Sequence, residues 1–293
     1  MGLSSKLSFI LPTDALRSRH EIAATDWYIR AYHPVHCIQG VQSDARLKRN
    51  IIGYEQVETE SEISESGYLY PETCTAITFY CGPSKPYAYV SGIFTQPVVF
   101  SDLKPGIYFT VIFAPTQMHA FLRMPLFELS NQWAEVKKLP DFNLSLVLEK
   151  IAGASSFCAR VAIWESFYMK WLLSHSDTMV PVIKQILDWS AVNSYSIDER
   201  ALSKFAGYTD RHLRNLFYTY LGVSFKTFQR ILRYKRALWA LSNATTPLTK
   251  IAYDTGYCDQ AHFIREFHRF QGSTPSLFLK KYKMCAAHYQ ADL

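Results

Sequence analysis

The hydrophobic and polar positions change their period along the chain. Between about residues 25 and 125, short runs of β-branched and aromatic residues are separated by turn sequences such as Gly82-Pro83-Ser84 and Lys104-Pro105-Gly106. This spacing predicts the strands of an antiparallel sandwich or barrel. The clearest predicted strands are residues 75–80, 87–90, 97–100 and 108–113.

From residue 144 to 173 the apolar residues recur at helical spacing, with an interruption near Gly153. The polar stretch 174–178 is the best linker, and helical patterns follow it to the end of the chain. We therefore expect an α+β fold with a β-rich domain followed by an all-α domain. The predicted segments are a β-rich domain over 1–140, a helical segment and linker over 141–180, and a helical domain over 181–293.

The C-terminal region contains an internal repeat. A Gly-Tyr-x-Asp sequence at 207–210 recurs at 256–259, an offset of 49, whereas the His, Phe and Gly residues that follow recur at an offset of 50. The change of offset predicts one extra residue after the aspartate of the second copy. Each copy has the pattern of helix, tight turn and helix, so we expect two helix-turn-helix units.

The second helix of each predicted unit leaves polar side chains on its outer face. Arg, Asn and Gln are the side chains that pair with guanine or adenine in the major groove, although an ordinary solvated helix face gives the same pattern. The residues concerned are Arg211, Arg214 and Asn215 in the first copy and Gln260, His262, Arg265 and Arg269 in the second. The extra residue predicts that Gln260 and Ala261 stand where the first copy has only Arg211, so that the two half-sites differ.

A helical run from Phe225 to Asn243 joins the two copies. Nineteen residues of α-helix span about 28 Å, and recognition helices about 34 Å apart reach successive major grooves of B-DNA. Basic residues on and near this run are candidates for phosphate contacts. They are Lys226, Arg230, Arg233, Lys235, Arg236 and Lys250.

The distribution of charge along the chain agrees with DNA binding by the C-terminal region. The chain has a formal net charge of +6, but residues 197–283 contain fifteen Lys or Arg against six Asp or Glu. The rest of the chain is therefore mildly acidic. A basic C-terminal third on an acidic body is typical of nucleic-acid binding.

The stretch from Ser196 to Lys281 resembles the DNA-binding domain of AraC-type (AraC/XylS) transcriptional regulators. The signature runs from Ile251-Ala252 through Gly256-Tyr257 and His262-Phe263 to Thr274-Pro275. The resemblance implies two helix-turn-helix units joined by a long helix. Asn215 stands where the family usually has Arg, and Phe225 where Pro is frequent. The base-reading positions that it implies are Arg211, Arg214, Asn215, Gln260, Ala261, His262 and Arg265.

The N-terminal half resembles a sensor-type domain that precedes such regulators, through the segments 69–72 and 121–129. We expect a cupin-like domain that encloses a small effector or mediates dimerisation. An aromatic-rich β domain suits a small apolar ligand, although most of its aromatic side chains simply fill the core. The candidates for ligand contact are Tyr80, Tyr87, Tyr89, Phe94 and Tyr108, together with Phe109 and Phe113.

Candidate catalytic chemistry is sparse. His33, His36 and Cys37 lack a third and fourth ligand at a recognisable metal-site spacing. Cys74 and Cys81 flank one predicted strand, where buried thiols are favoured over a redox pair. The sequence has neither a phosphate-binding loop nor a nucleophile elbow. We therefore expect a protein that is not an enzyme and has no metal or cofactor.

The leading hypothesis is a sequence-specific, DNA-binding transcription regulator controlled by a small effector or by dimerisation. Its partners would be double-stranded DNA, an effector, a second copy of the chain and, for an activator, RNA polymerase. The alternative is a DNA-tethered enzyme with a metal-dependent β-barrel domain. The sequence contains neither a membrane-spanning run nor a signal-peptide pattern, so we expect a cytoplasmic protein with no membrane partner.

Overall fold

A computed structural model describes residues 37–59, 67–100, 104–139, 144–175, 181–192, 197–243 and 246–280. The first part of the chain is built from strands, and all four of the strands predicted above are present. The described strands are β1 (Cys37–Gln42), β2 (Ile51–Thr59), β3 (Gly67–Leu69), β4 (Thr75–Cys81), β5 (Tyr87–Ser91), β6 (Val98–Phe100), β7 (Gly106–Phe113) and β8 (Trp133–Glu135).

Six of the described strands form one antiparallel sheet in the order β1-β2-β7-β4-β5-β8. β3 and β6 pair with each other in a separate two-stranded sheet. β4 lies at the centre of the large sheet, between β7 and β5. Because successive residues of a strand point to opposite faces, β4 contributes side chains to both sides of the sheet.

One face of the large sheet is covered by helices α1 (Gln117–Leu122), α2 (Ser145–Ala152) and α3 (Phe157–Ser174). The ring of Phe79 on β4 lies 5.5 Å from that of Trp164 on α3, and both side chains are fully buried. The interruption predicted near Gly153 is the break between α2 and α3. These two helices therefore complete the core of the first domain.

The second domain is helical and has one hydrophobic core. Its described helices are α4 (Pro181–Val192), α5 (Glu199–Ala206), α6 (Asp210–Leu221), α7 (Phe225–Asn243), α8 (Leu248–Asp254), α9 (Gln260–Gln271) and α10 (275–280). The long helix α7 has the predicted bounds. Buried residues of α6, α7 and α9 meet in the core, among them Phe217, Phe228 and Phe263.

The repeat is in register at an offset of 50, because α6 and α9 have the same length and the same caps. Thr209 and Asp259 are the N-caps, and each side-chain oxygen accepts a hydrogen bond from the backbone N–H three residues on, at 3.3 and 2.6 Å. The helices end at Gly222 and Gly272, with φ of +78° and +72°. Glycine suits this left-handed C-terminal position.

The predicted place of the extra residue is wrong. One residue separates Gly207 from the cap Thr209, whereas two separate Gly256 from the cap Asp259. The longer segment is therefore the turn of the second copy, and the helix after it is unchanged. Asp210, which the sequence comparison paired with Asp259, is the first residue of α6 rather than its cap.

The two domains touch at the C-terminal end of α6. A 3₁₀ turn, Leu126–Leu129, and helix α1 of the first domain lie against this end. A Cβ atom built on Gly222 would lie 2.7 Å from the carbonyl oxygen of Leu126. The rings of His119 and Tyr220 are 4.2 Å apart. An ion pair between Glu72 and Lys235 joins the first domain to α7.

Candidate nucleic-acid interface

Helix α6 buries one face and exposes the predicted base-reading residues on the other. Its buried residues lie four positions apart, so they form one stripe along the helix. They are Leu213, Phe217 and Leu221. Arg211, Arg214 and Asn215 are all exposed. The first two turns of α6 therefore present three polar side chains to solvent.

Helix α9 is built in the same way but exposes fewer polar groups in its first turns. Ala261 and Arg265 are exposed, whereas Gln260 and His262 are half-buried. The Thr249 hydroxyl on α8 donates a hydrogen bond to the side-chain oxygen of Gln260 at 2.6 Å. The ring of His262 lies 5.3 Å from that of Tyr257. Arg265 is therefore the exposed cation in the first two turns of this helix.

The corrected register changes which residues are equivalent in the two copies. At an offset of 50, Arg211 corresponds to Ala261 and Asn215 to Arg265. Gln260 corresponds to Asp210, so it is not an addition to the second helix. The two helices still present different side chains at equivalent positions, and this difference comes from residue identity alone.

The basic residues predicted to contact phosphate have varied surroundings. The guanidinium of Arg230 pairs with Glu266 and lies 5.4 Å from the centre of the Phe270 ring. Arg233 lies 5.4 Å over the ring of Tyr257. Both arginines are half-buried and hold α7 against α9 and the turn before it. This leaves them less available to a phosphate than fully exposed side chains.

Lys250 lies outside the two base-reading helices, and Arg269 lies one turn beyond Arg265 on the same side of α9. Lys250 is exposed on α8 and pairs with Asp254 at 2.9 Å. Arg269 is exposed in the last turn of α9 and borders a cleft between the two domains. Of the residues predicted to bind DNA, the structure brings Arg211, Arg214 and Asn215 together on α6. Ala261 and Arg265 lie together on α9.

Four of the predicted ligand-contacting residues form a tyrosine cluster on the sheet face opposite α3. They are Tyr80, Tyr87, Tyr89 and Tyr108. The ring of Tyr80 lies 4.7 Å from that of Tyr87 and 5.2 Å from that of Tyr108. The hydroxyls of Tyr80 and Tyr108 donate to backbone carbonyls of the loop before β7. Burial raises the pKa of Tyr89 to about 12, so its hydroxyl is neutral at physiological pH.

The other aromatic candidates lie elsewhere. Phe94 packs against Trp133 at a ring distance of 5.9 Å. Phe109 and Phe113 are fully buried in the core between the sheet and the helices. The alternation of strand residues decides which of the aromatic candidates lie on the same face of the sheet.

Cys74 and Cys81 are buried thiols, as the sequence predicts. Both thiols are free and buried at opposite ends of β4, and a strand of seven residues extends roughly 23 Å. His33 and His36 lie outside the described residues. Among the residues that the structure describes, no group of three or more His, Cys, Asp and Glu side chains could hold a metal ion.

Two family models match the chain. Residues 202–281 match a model described as "Helix-turn-helix domain", and residues 39–135 match "Domain of unknown function (DUF6597)". The first range includes the second helix pair and most of the first. The second range covers the strands β2 to β8.

The similarity to curated relatives extends over about a third of the chain or less. The HTH-type transcriptional regulator GlxA of Rhizobium meliloti (strain 1021) is 34% identical over 79 residues, which are 27% of this chain and 24% of that protein. An uncharacterized HTH-type transcriptional regulator of Staphylococcus aureus (strain MSSA476) is 28% identical over 97 residues, which are 33% of this chain and 13% of that protein. The chain thus spans about a quarter or less of the length of these relatives.

Solved structures also resemble the chain. A probable AraC family transcriptional regulator from Rhodopseudomonas palustris CGA009 matches with 21% identity and a TM-score of 0.30, over 35% of this chain and 98% of that one. ToxT from Vibrio cholerae matches with 12% identity and a TM-score of 0.39, over 84% of this chain and 97% of that one. ToxT has also been solved with an unsaturated fatty acid bound.

The C-terminal third is therefore a helix-turn-helix domain, preceded by a β-rich domain. This match bears out the resemblance to AraC-type regulators predicted from residues 196–281. Among the described helices, none is both long and apolar enough to cross a lipid bilayer.

Proposed function

We propose that this chain is a sequence-specific, DNA-binding transcription regulator. In this proposal α5–α6 and α8–α9 are two helix-turn-helix units, and α6 and α9 are their recognition helices. The main support is the equivalence of α6 and α9: both have twelve residues, a capped N-terminus and a glycine at the C-cap. Both bury an apolar stripe in one core and expose polar residues in their first turns.

The connector α7 sets the reach of the two units. Its nineteen residues span about 28 Å, close to the repeat of about 34 Å between successive major grooves on one face of DNA. The pairs of Arg230 with Glu266 and of Arg233 with Tyr257 fix α9 to α7. One chain would therefore place both recognition helices on the same face of the duplex.

The difference between the helix faces predicts a directional DNA site. Arg pairs best with guanine and Asn with adenine, whereas Ala contacts the methyl group of thymine. We infer that the α6 half-site contains guanine near Arg211 or Arg214 and adenine near Asn215. The α9 half-site would contain guanine near Arg265 and thymine near Ala261. A single chain would then recognise a non-palindromic sequence.

We further infer that the N-terminal domain controls the DNA-binding domain through an effector or through dimerisation. The contacts of the 3₁₀ turn Leu126–Leu129 with α6 provide a physical connection between the domains. The tyrosine cluster, in which Tyr87 and Tyr89 are half-buried and Tyr80 and Tyr108 are buried, is the candidate contact for a small aromatic or apolar effector. The exposed side chains of Leu146 on α2 and Leu173 on α3, 77% and 86% exposed, support dimerisation through these helices.

Selection from random duplexes with the full chain tests the base-reading assignment. Arg265→Ala should cost about 1–3 kcal/mol at the selected site and relax the preference at one base position. Arg233→Ala should weaken all sequences similarly, because Arg233 supports the turn before α9 rather than a base contact. Arg49→Ala, which removes an exposed arginine from the N-terminal domain, is the matched control. An unchanged motif for the Arg265 variant would show that α9 does not read bases through this residue.

A further inference from the structure

A polar cleft of about 230 Å³ lies between the two domains. The N-terminal domain contributes Thr95, Ser130 and Asn131 to its wall. The helical domain contributes the C-terminal ends of α6 and α9 and the N-terminal end of α7. The cleft thus touches both proposed recognition helices, the connector and the N-terminal domain.

Two arginines make the helical wall of the cleft positive. Glu266 pairs with Nε of Arg230, and the Phe270 ring lies against the same guanidinium, so its terminal N–H groups are held in a fixed orientation. Arg269 has no carboxylate partner among the residues that the structure describes. One glutamate therefore offsets two guanidinium groups, and the residues that line the cleft include no acidic side chain.

The opposite wall presents hydrogen-bond donors in a rigid frame. Asn131 has φ of +58°, and its backbone N–H donates to the carbonyl of Ile93 at 3.0 Å. Its side-chain oxygen accepts from the backbone N–H and the hydroxyl of Thr95, at 2.7 and 2.9 Å. Because the oxygen is occupied in this way, the amide N–H groups of Asn131 are the side-chain atoms left to meet a ligand.

The N-terminus of α7 adds to the positive field. Ser224 caps this helix and accepts a hydrogen bond from the backbone N–H of Thr227 at 3.1 Å. Both residues line the cleft. The N-terminal end of a helix carries a partial positive charge that favours anions. Guanidinium, amide and helix N-terminus therefore surround one small space.

We propose that this cleft binds a compact oxyanion of phosphate or carboxylate chemistry. Guanidinium groups pair with both kinds of anion through two parallel hydrogen bonds. The volume lies just below the range of about 300–1,000 Å³ typical of drug-sized ligands, which favours a small anion.

A DNA phosphate fits the cleft less well than a free anion. Recognition helices contact bases through their N-terminal residues, whereas the cleft lies at the C-terminal ends of α6 and α9. The two loops that carry Thr95 and Asn131 close the cleft on the side of the N-terminal domain. An anion held there would connect that domain to both helix pairs. This binding does not depend on the proposed recognition of DNA.

Isothermal titration of the full chain tests the site without DNA. Inorganic phosphate and citrate are titrated separately at constant ionic strength, and each chemistry predicts one bound anion per chain. The anion that binds more tightly shows whether the natural ligand carries a phosphate or a carboxylate group. Arg269→Gln should weaken that binding about tenfold, because a charge-assisted pair is lost. Asn131→Gly keeps the left-handed backbone, removes the amide donors and should also weaken binding.

Arg200→Gln is the control, since it removes an exposed positive charge from α5, outside the cleft. Its affinity for the anion should equal that of the unmodified chain. The proposal is overturned if neither anion binds at millimolar concentration, or if Arg269→Gln binds as tightly as the unmodified chain. Equal weakening by Arg200→Gln and Arg269→Gln would also overturn it, because it would show a general effect of net charge. If Arg269→Gln lowers DNA affinity while the unmodified chain binds neither anion, the cleft belongs to the DNA interface.

Discussion

Replacing Gly222 by alanine should separate the cost of a strained helix end from the cost of a blocked domain contact. Gly222 and Gly272 are equivalent C-caps with nearly the same φ. They differ in their surroundings. A Cβ on Gly222 would lie 2.7 Å from the carbonyl oxygen and 3.1 Å from the carbonyl carbon of Leu126, whereas a Cβ on Gly272 would meet nothing within 4 Å. Gly272→Ala is therefore a matched control.

The magnitudes follow from these distances. An alanine in the left-handed region costs about 1–2 kcal/mol at either position. At Gly222 the added methyl group also overlaps a backbone carbonyl that cannot rotate away, and overpacking costs about 1–3 kcal/mol more. We expect Gly222→Ala to lose about 2–5 kcal/mol of stability and Gly272→Ala about 1–2 kcal/mol.

Urea denaturation of the full chain, followed by circular dichroism, measures the difference between the two variants. Hydrogen exchange of the backbone over residues 126–129 then shows whether the domain contact has opened. Exchange should accelerate in Gly222→Ala and stay unchanged in Gly272→Ala. Equal losses of stability together with equal exchange rates would refute the contact between Gly222 and Leu126.

Two further predictions concern pH and salt. Burial lowers the pKa of His119, which contacts Tyr220 across the domain boundary, so its neutral form favours the folded state. This stabilisation is complete above the unfolded pKa of about 6.5 and is lost as the pH falls through the lower folded value. Urea midpoints should therefore fall less steeply below about pH 6.5 in His119→Gln than in the unmodified chain, and parallel curves would contradict this assignment. Fluorescence anisotropy of the full chain on its selected duplex should give a log–log salt slope of about −5, as roughly six phosphate contacts produce, and a slope near zero would rule out the electrostatic part of the proposal.

The sequence predicts the elements of this fold well where the local pattern is strong. The connector from Phe225 to Asn243 has its predicted bounds because its apolar spacing is continuous and both flanks carry turn residues. The strands around Phe79 and Phe109 follow their predicted positions for the same reason. The register of the repeat was harder to predict. Asp210 matches Asp259 in residue type, but the capping oxygen of α6 comes from Thr209. Residue type alone therefore gives the wrong register.

Long-range contacts could not be read from the sequence. Arg230 and Arg233 look like surface cations in a basic helix, yet each is held by a residue more than twenty positions away. The cleft between the domains depends on Asn131 lying near Arg269. The left-handed backbone of Asn131 has no signal in the sequence beyond the residue type itself. Such contacts depend on how the domains pack, which no local pattern records.

The close approach of Gly222 to Leu126 restricts which sensor domains can be joined to this DNA-binding domain. A chimaera that carries another N-terminal domain will dock at α6 only if that domain places a similarly shaped backbone turn beside the glycine. The same requirement applies in reverse to a recipient DNA-binding domain, which needs a glycine at the end of its first recognition helix. Exchange of sensor modules in this architecture is therefore restricted by a main-chain contact as well as by the Glu72–Lys235 ion pair and the contact of His119 with Tyr220.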